Sequence, residues 1–367
     1  MSEPTAAPEQ PSTSRVFFRA DIKLADKTLA AIDAATLRQA DDGLRPHLGA
    51  SLIGRPCARA LWYSFRWATA SRHEPRLLRM FARGQREEEY LAALLRSAGV
   101  TVVTVDPSTG QQWHFGSGHF GGSMDGACVG LPEAPKTWHV LEFKTHSAKS
   151  FNELAAKGVQ AAKPEHYAQM QCYMAWTGME RALYVAVCKD DDRLHLERVD
   201  ADKPLQEQLM AKAQRIIESP LPPDGISTDP SYYLCKWCEH RDVCHGSAAP
   251  LPTCRSCCHA TPEPGGEWTC ERHGNSVRSV HEQKQGCQAH RYIPQLLANW
   301  AEATDASDAD NWVRYRLKST GAEFTNGQPP DGLSSEEIHA CADKRALAVV
   351  EQEFQDLRAA FGGKIVA

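Results

Sequence analysis

The chain has 367 residues, 42% of them hydrophobic and 24% charged, with a net charge of −5. That is enough for two domains of ordinary size, and no apolar run approaches a membrane span. No apolar leader core stands at the N-terminus either, which points to a soluble intracellular protein. The acidic sum does not advertise nucleic-acid binding, but a local basic channel can coexist with it. Thirteen cysteines without a secretion signal favour metal sites over disulfides.

Met1 to about Ser14 is rich in Pro, Ser, Thr and Glu and reads as a disordered tail. Leu24 to Gln39 reads as an Ala-rich helix with Leu, Ile and Leu on one side. The stretch from residue 51 to 100 carries nine arginines against four acidic residues. Its first part, Ser51 to Tyr63, is a helix rich in Arg and aromatics, a composition that can grip phosphates and stack on bases. The same residues also suit a surface helix whose Arg stems cover apolar neighbours. Leu77 to Ser97 is a second, long helix.

Strands are expected at 100–105, 111–115, 120–129 and 138–145. The last two flank a turn at 131–136 and form a β-hairpin. Asp125 falls on the first of the pair. Glu142 and Lys144, two apart on the second, share a face, while Phe143 points the other way. A carboxylate on each of two paired strands, with an ammonium beside one, can hold a hard cation. An E-x-K strand is also the ordinary pattern of a solvated face with a weak ion pair. Gly121, Gly122 and Gly126 around Asp125 suit close approach of a ligand to the backbone. A helix over 164–176, strands at 182–188 and 194–199, and a helix over 203–218 complete a mixed sheet flanked by helices, an α/β layer fold.

Beyond Pro220-Leu221-Pro222-Pro223 the composition changes. Cys235, Cys238 and Cys244 stand in C-x2-C-x5-C spacing, three thiolates lacking a fourth ligand. A zinc site completed by His240 or His245, or plain buried thiols, would account for them. A second group, Cys254, Cys257 and Cys270, has zinc-site spacing around a Gly265-Gly266 turn and Trp268. Its fourth ligand is open among His273, Cys287 and His290. Short strands at 313–317 and 323–324 follow. A final helix opens at Ser334, with Glu337 as capping-box partner, and runs, with or without a break, to about Phe361. There is no repeat, no P-loop to suggest a fused helicase, and no flavin or nicotinamide fingerprint.

In order and spacing, Asp125, Glu142-Phe143-Lys144 and Gln169-x-x-x-Tyr173 resemble the PD-(D/E)xK nuclease superfamily in its RecB-like branch. An acidic residue on an early helix is supplied by Glu88, with Glu87 as the alternative, in Gly84-Gln85-Arg86-Glu87-Glu88. Met124 replaces the proline that often precedes the aspartate. The resemblance covers roughly residues 50 to 245. It implies a restriction-endonuclease-like α/β core and a DNA exonuclease using Mg²⁺ or Mn²⁺. The ion would be held by Glu88, Asp125, Glu142 and the Phe143 carbonyl, with Lys144 acting on the water and Gln169 and Tyr173 positioning the site. The AddB-like iron–sulfur exonucleases further imply that Cys57 joins Cys235, Cys238 and Cys244 on a [4Fe–4S] cluster. The implied order is a tail (1–14), a nuclease domain closed by the cysteine cluster (15–250), a small C-terminal zinc module (251–295) and an α+β segment (296–367). Length and zinc module resemble phage or prophage exonucleases, which act on linear double-stranded or single-stranded DNA beside a single-strand annealing recombinase. The competing readings are a non-catalytic zinc and iron–sulfur DNA-binding protein, or an iron–sulfur redox protein.

Overall fold

A computed structural model describes residues 24–329, 331–347 and 360. The expected N-terminal tail, and the stretch toward Phe361, lie outside the described residues apart from residue 360. Helix α1 (Asp26–Gln39) buries none of its residues, and Leu29, Ile32 and Leu37 stay exposed. The 51–63 stretch is not one helix. After β1 (Leu48–Gly49) comes a single turn, α2 (Ala50–Ile53), then α3 (Ala58–Phe65). Gly54 and Pro56 lie in the break, as expected for a proline whose missing N–H cannot continue a helix. Helix α4 (Pro75–Ser97) starts on a proline at its first turn and buries Leu91, Ala92 and Leu95.

The expected 120–129 strand is two strands in two sheets. β3 (His114–Ser117) and β4 (Phe120–Ser123) pair with β1 in one sheet, ordered β1-β4-β3. β5 (Gly126–Val129) joins the main sheet, with β2 (Thr101–Val103) on one side and β6 (His139–His146) on the other. Asp125 therefore sits in the break between strands rather than on one. Helix α5 (Ala148–Ala162) was not expected; it turns at Gly158, whose φ is 74°, and Glu197 accepts from the Val159 N–H there at 2.8 Å. Helix α6 (Pro164–Thr177) stops on Gly178 in the left-handed conformation. β7 (Arg181–Cys188) and β8 (Leu194–Asp200) complete the sheet β2-β5-β6-β7-β8, in which β6–β7 is parallel and the other pairs antiparallel. β7 is buried along nearly its whole length, as a central strand covered on both faces requires. Helix α7 (Lys203–Glu218) is capped by Asp202, which accepts from the Leu205 N–H.

The two sheet faces build two cores. Val140, Ala182, Tyr184 and Ala186 face Leu154, Met170, Tyr173 and Leu209 on the helices α5 to α7. Leu141, Phe143, Leu183 and Val185 face Leu91 and Leu95 of α4. The cysteine-rich part continues with α8 (Tyr233–Lys236), α9 (Arg241–Cys244), the strands β9 (Ala260–Pro262), β10 (Trp268–Cys270) and β11 (Ser276–Arg278), and α10 (Val280–Gln285). Trp268 does not form a core private to this ribbon. It is buried against Phe65 of α3 and His119, with the Arg66 and Arg255 guanidinium groups over its ring at 4.9 and 4.8 Å. The sheet β12 (Ala301–Ser307), β13 (Trp312–Leu317) and β14 (Glu323–Asn326) precedes α11 (Ser335–Ala340). α11 has the expected Ser334–Glu337 capping box but ends at Ala340. No helix among the described residues is long and apolar enough to cross a membrane.

Candidate active site

β6 carries Glu142 and Lys144 on the face turned to α6, and its odd residues fill the opposite core. The Lys144 ammonium bonds Glu142, lies 3.9 Å from Asp125 Oδ2, and donates to the Phe143 carbonyl at 3.1 Å. Asp125 is held in turn by the Phe143 amide, which donates to Oδ2 at 2.8 Å. One strand segment thus fixes all three groups. Glu142 is fully buried, and its Oε2 has no hydrogen-bond partner, an orphaned acceptor that a bound ion can satisfy.

Glu88 of α4 enters the same field. Burial, then the Asp125 carboxylate, raises its pKa to about 7, against the pull of Lys144. Glu87 instead pairs with Arg83 one turn back, at 3.7 Å. Burial also pushes the Glu142 carboxyl up, Lys144 opposing it. For Lys144 burial favours the neutral amine, but Glu142 and Asp125 outweigh it and keep the group cationic. The ammonium therefore neutralises the carboxylates and is poorly suited to act as a base.

α6 closes the site from the helix side. Gln169 lies one turn before Tyr173 on the same helix, and the Tyr173 hydroxyl donates to the Ser123 carbonyl at 2.6 Å. This contact explains a glycine. A Cβ at Gly122 would lie 2.7 Å from the Tyr173 hydroxyl, and one at Gly121 2.9 Å from the Phe115 carbonyl. The glycines before Asp125 make room for the protein's own chain, where a ligand was expected.

The aromatics of the 51–63 stretch are not offered to a ligand. Trp62 and Tyr63 are buried, as is Phe65 just beyond them. Arg55 pairs with Glu239 at 2.8 Å, and Arg59 donates to the Pro223 carbonyl. Arg76, Arg79, Arg83 and Arg86 of α4 are exposed, at three- and four-residue spacing along one side.

Cys57, Cys235, Cys238 and Cys244 line a single cavity with Arg59 and Tyr63. His240 cannot easily complete a site there, because Ser64 and Thr69 hydroxyls occupy its two ring nitrogens at 2.9 and 2.7 Å. A second small cavity is lined by Cys254, Cys257, Cys270, Cys287 and His290, without His273. Burial, then Cys257, Cys287 and Cys270, pushes the Cys254 thiol up to about 12. His290 Nε2 contacts the Ser256 hydroxyl at 3.1 Å. Among the described residues no group of three or more His, Cys, Asp or Glu side chains is arranged as a ready metal-holding set; between Asp125 and Glu142 the Lys144 ammonium stands instead.

Residues 70–180, which contain Glu88, Asp125, Glu142, Lys144, Gln169 and Tyr173, match the family described as a YqaJ-like viral recombinase domain. No curated protein matches the chain. Among solved structures, an alkaline exonuclease from Laribacter hongkongensis is similar at 20% identity and a TM-score of 0.36, over 51% of this chain and 90% of that one. A phage-related exonuclease from Haemophilus somnus is similar at 13% identity and a TM-score of 0.32, over 43% and 77%.

Proposed function

We propose, from the YqaJ-like match over the residues that carry the site, that the chain is a metal-dependent DNA exonuclease of phage-type recombination. The observation that carries this reading is the convergence of Asp125, Glu142 and Glu88 on one ammonium, Lys144, with Glu142 Oε2 left without a partner. Such an all-oxygen donor set, with the Phe143 carbonyl beside it, fits Mg²⁺ or Mn²⁺. When bound, the ion supplies activation of water and stabilisation of charge on the phosphate. The chain's own contribution is positional and electrostatic. Phe143 fixes Asp125 through its amide, and Lys144 presents a fixed positive charge to a phosphate oxygen. Tyr173, tied to the Ser123 carbonyl, sets the helix against the strand break that holds Asp125.

The substrate in this reading is linear double-stranded or single-stranded DNA, with the α4 arginines as its phosphate contacts, and a single-strand annealing recombinase is the working partner. The first cysteine cavity is read as the seat of a [4Fe–4S] cluster on Cys57, Cys235, Cys238 and Cys244. The second is read as a structural zinc site on Cys254, Cys257, Cys270 and Cys287, because Cys287 couples electrostatically to Cys254 and Cys270. Both groups would pin the cysteine-rich ribbon to the sheet domain and take no part in chemistry.

The test is digestion of end-labelled linear and closed circular DNA by protein purified under anaerobic conditions, with Mg²⁺ and with chelator. Mg²⁺-dependent loss of the linear substrate alone is expected. Binding without digestion would leave a non-catalytic DNA-binding protein.

A further inference from the structure

The face of β6 that carries Glu142 and Lys144 continues to His146, the last residue of the strand. The face of α6 that carries Gln169 and Tyr173 begins one turn earlier at His166. These two ends meet through Tyr184 of β7, which pairs in register with Glu142. The Tyr184 hydroxyl lies 2.8 Å from His146 Nε2 and 2.8 Å from His166 Nδ1. His146 Nδ1 is 3.0 Å from the Ser150 hydroxyl at the start of α5. The His166 and Tyr184 rings lie nearly parallel, 25° apart with centroids at 5.8 Å. Tyr184 is completely buried.

A phenol has one proton, so it donates to one imidazole and accepts an N–H from the other. The ring that accepts the phenol proton is therefore neutral, and the other donates its N–H to the phenol oxygen. Burial first, aided by nearby cations including Lys144, lowers His146 to about 4 and His166 to about 3. A core needs none of this. Phenylalanine and leucines would fill the same volume without three desolvated polar groups, often with no loss of stability. What the polar version adds is direction, because hydrogen bonds fix distance and angle where apolar packing does not.

We propose that His146, Tyr184 and His166 are a positioning triad of the nuclease site, locking the Glu142–Lys144 row of β6 in register with the Gln169–Tyr173 row of α6. Tyr173 and Ser123 close the other end of the same seam. The inference rests on the nuclease reading given above. A positioning error of about 1 Å costs on the order of 10²-fold in rate, so the triad has the leverage that a purely structural contact lacks.

The experiment measures kcat and KM on linear DNA with Mg²⁺, together with Tm, for wild type, Tyr184→Phe, His166→Asn and His166→Leu. An Asn side chain places a polar atom where Nδ1 stands and keeps the bond to Tyr184; Leu does not. The expected result is a kcat about 10- to 100-fold lower for Tyr184→Phe and His166→Leu, KM within about threefold, and near wild-type kcat for His166→Asn. Should Tyr184→Phe be too unstable to assay, the Asn and Leu pair gives the same decision. A lowered Tm with unchanged kcat per folded molecule in Tyr184→Phe and His166→Leu would make the triad structural only and overturn the inference while the nuclease reading stands. A wild-type protein with no metal-dependent digestion overturns both.

Discussion

The Phe143 amide nitrogen donates to Asp125 Oδ2 at 2.8 Å, so the strand that carries Glu142 and Lys144 also holds the aspartate from the neighbouring strand break. The site is a single strand segment with its partners attached, and perturbing any member propagates to the rest.

Glu142→Gln keeps the shape of a buried residue but removes its charge. Cleavage should fall by about 10²- to 10³-fold, the usual cost of a lost charge-stabilising or ligating group, with the fold retained by circular dichroism. Lys144→Ala should lose as much activity and also lower Tm, because it strands the Glu142 carboxylate without its ammonium. Near wild-type rates in either variant would remove the residue from the site.

Gly122→Ala should destabilise the protein by about 1 to 3 kcal/mol, the usual cost of overpacking, since its Cβ would meet the Tyr173 hydroxyl at 2.7 Å. Tyr173→Phe should cost about 1 kcal/mol from the lost bond to Ser123. In the double variant the clash is relieved, so urea titration should give less than the sum. Strict additivity would show that the glycine serves something other than Tyr173.

Glu88 has its folded pKa raised to about 7 from 4.5. The folded state therefore binds this proton more tightly than the unfolded one, and the stability it contributes is lost as pH rises from about 4.5 through about 7. Divalent metal should reverse that loss. Mg²⁺ should raise Tm more at about pH 8 than at about pH 6, and nuclease activity should climb across the same window. Glu88→Gln should flatten the dependence of the Mg²⁺-induced Tm shift on pH; an unaltered profile would take Glu88 out of the ligand set.

DNA affinity should fall linearly in log–log form with salt despite the net charge of −5. Arg76→Ala or Arg86→Ala on exposed α4 positions should each lower the slope by about 1. A flat dependence would point away from a phosphate backbone as the ligand.

Anaerobic protein should be brown, with about four irons per chain, and should carry zinc as well. Cys57→Ala should lose iron and keep zinc, and Cys287→Ala the reverse. A colourless wild-type protein with only zinc would end the cluster assignment without touching Asp125, Glu142 or Lys144.

Local spacing alone was enough to put Glu142 and Lys144 on one face, Phe143 on the other, Gln169 and Tyr173 on one helix face, and a capping box at Ser334. The shared faces follow from periods of 2 and 3.6 and the cap from the S-x-x-E spacing, all of which a linear sequence carries in full. It could not show that 120–129 breaks at Asp125 into two sheets, because both halves read as strand and only their pairing partners differ. Nor could it show that Glu88, and not its neighbour Glu87, comes near Asp125, because that depends on which side of α4 meets the sheet. The buried aromatics of α3 read locally either as a nucleic-acid face or as part of a surface helix. Trp268, two hundred residues on, and the Arg255 guanidinium stacked 3.7 Å from the Trp67 ring place that surface inside the protein. The His146–Tyr184–His166 contact left no sequence signal, because its three residues come from two strands and a helix and meet only after the parallel β6–β7 pairing is made. Periodicity assigns residues to faces; only long-range packing decides which faces meet.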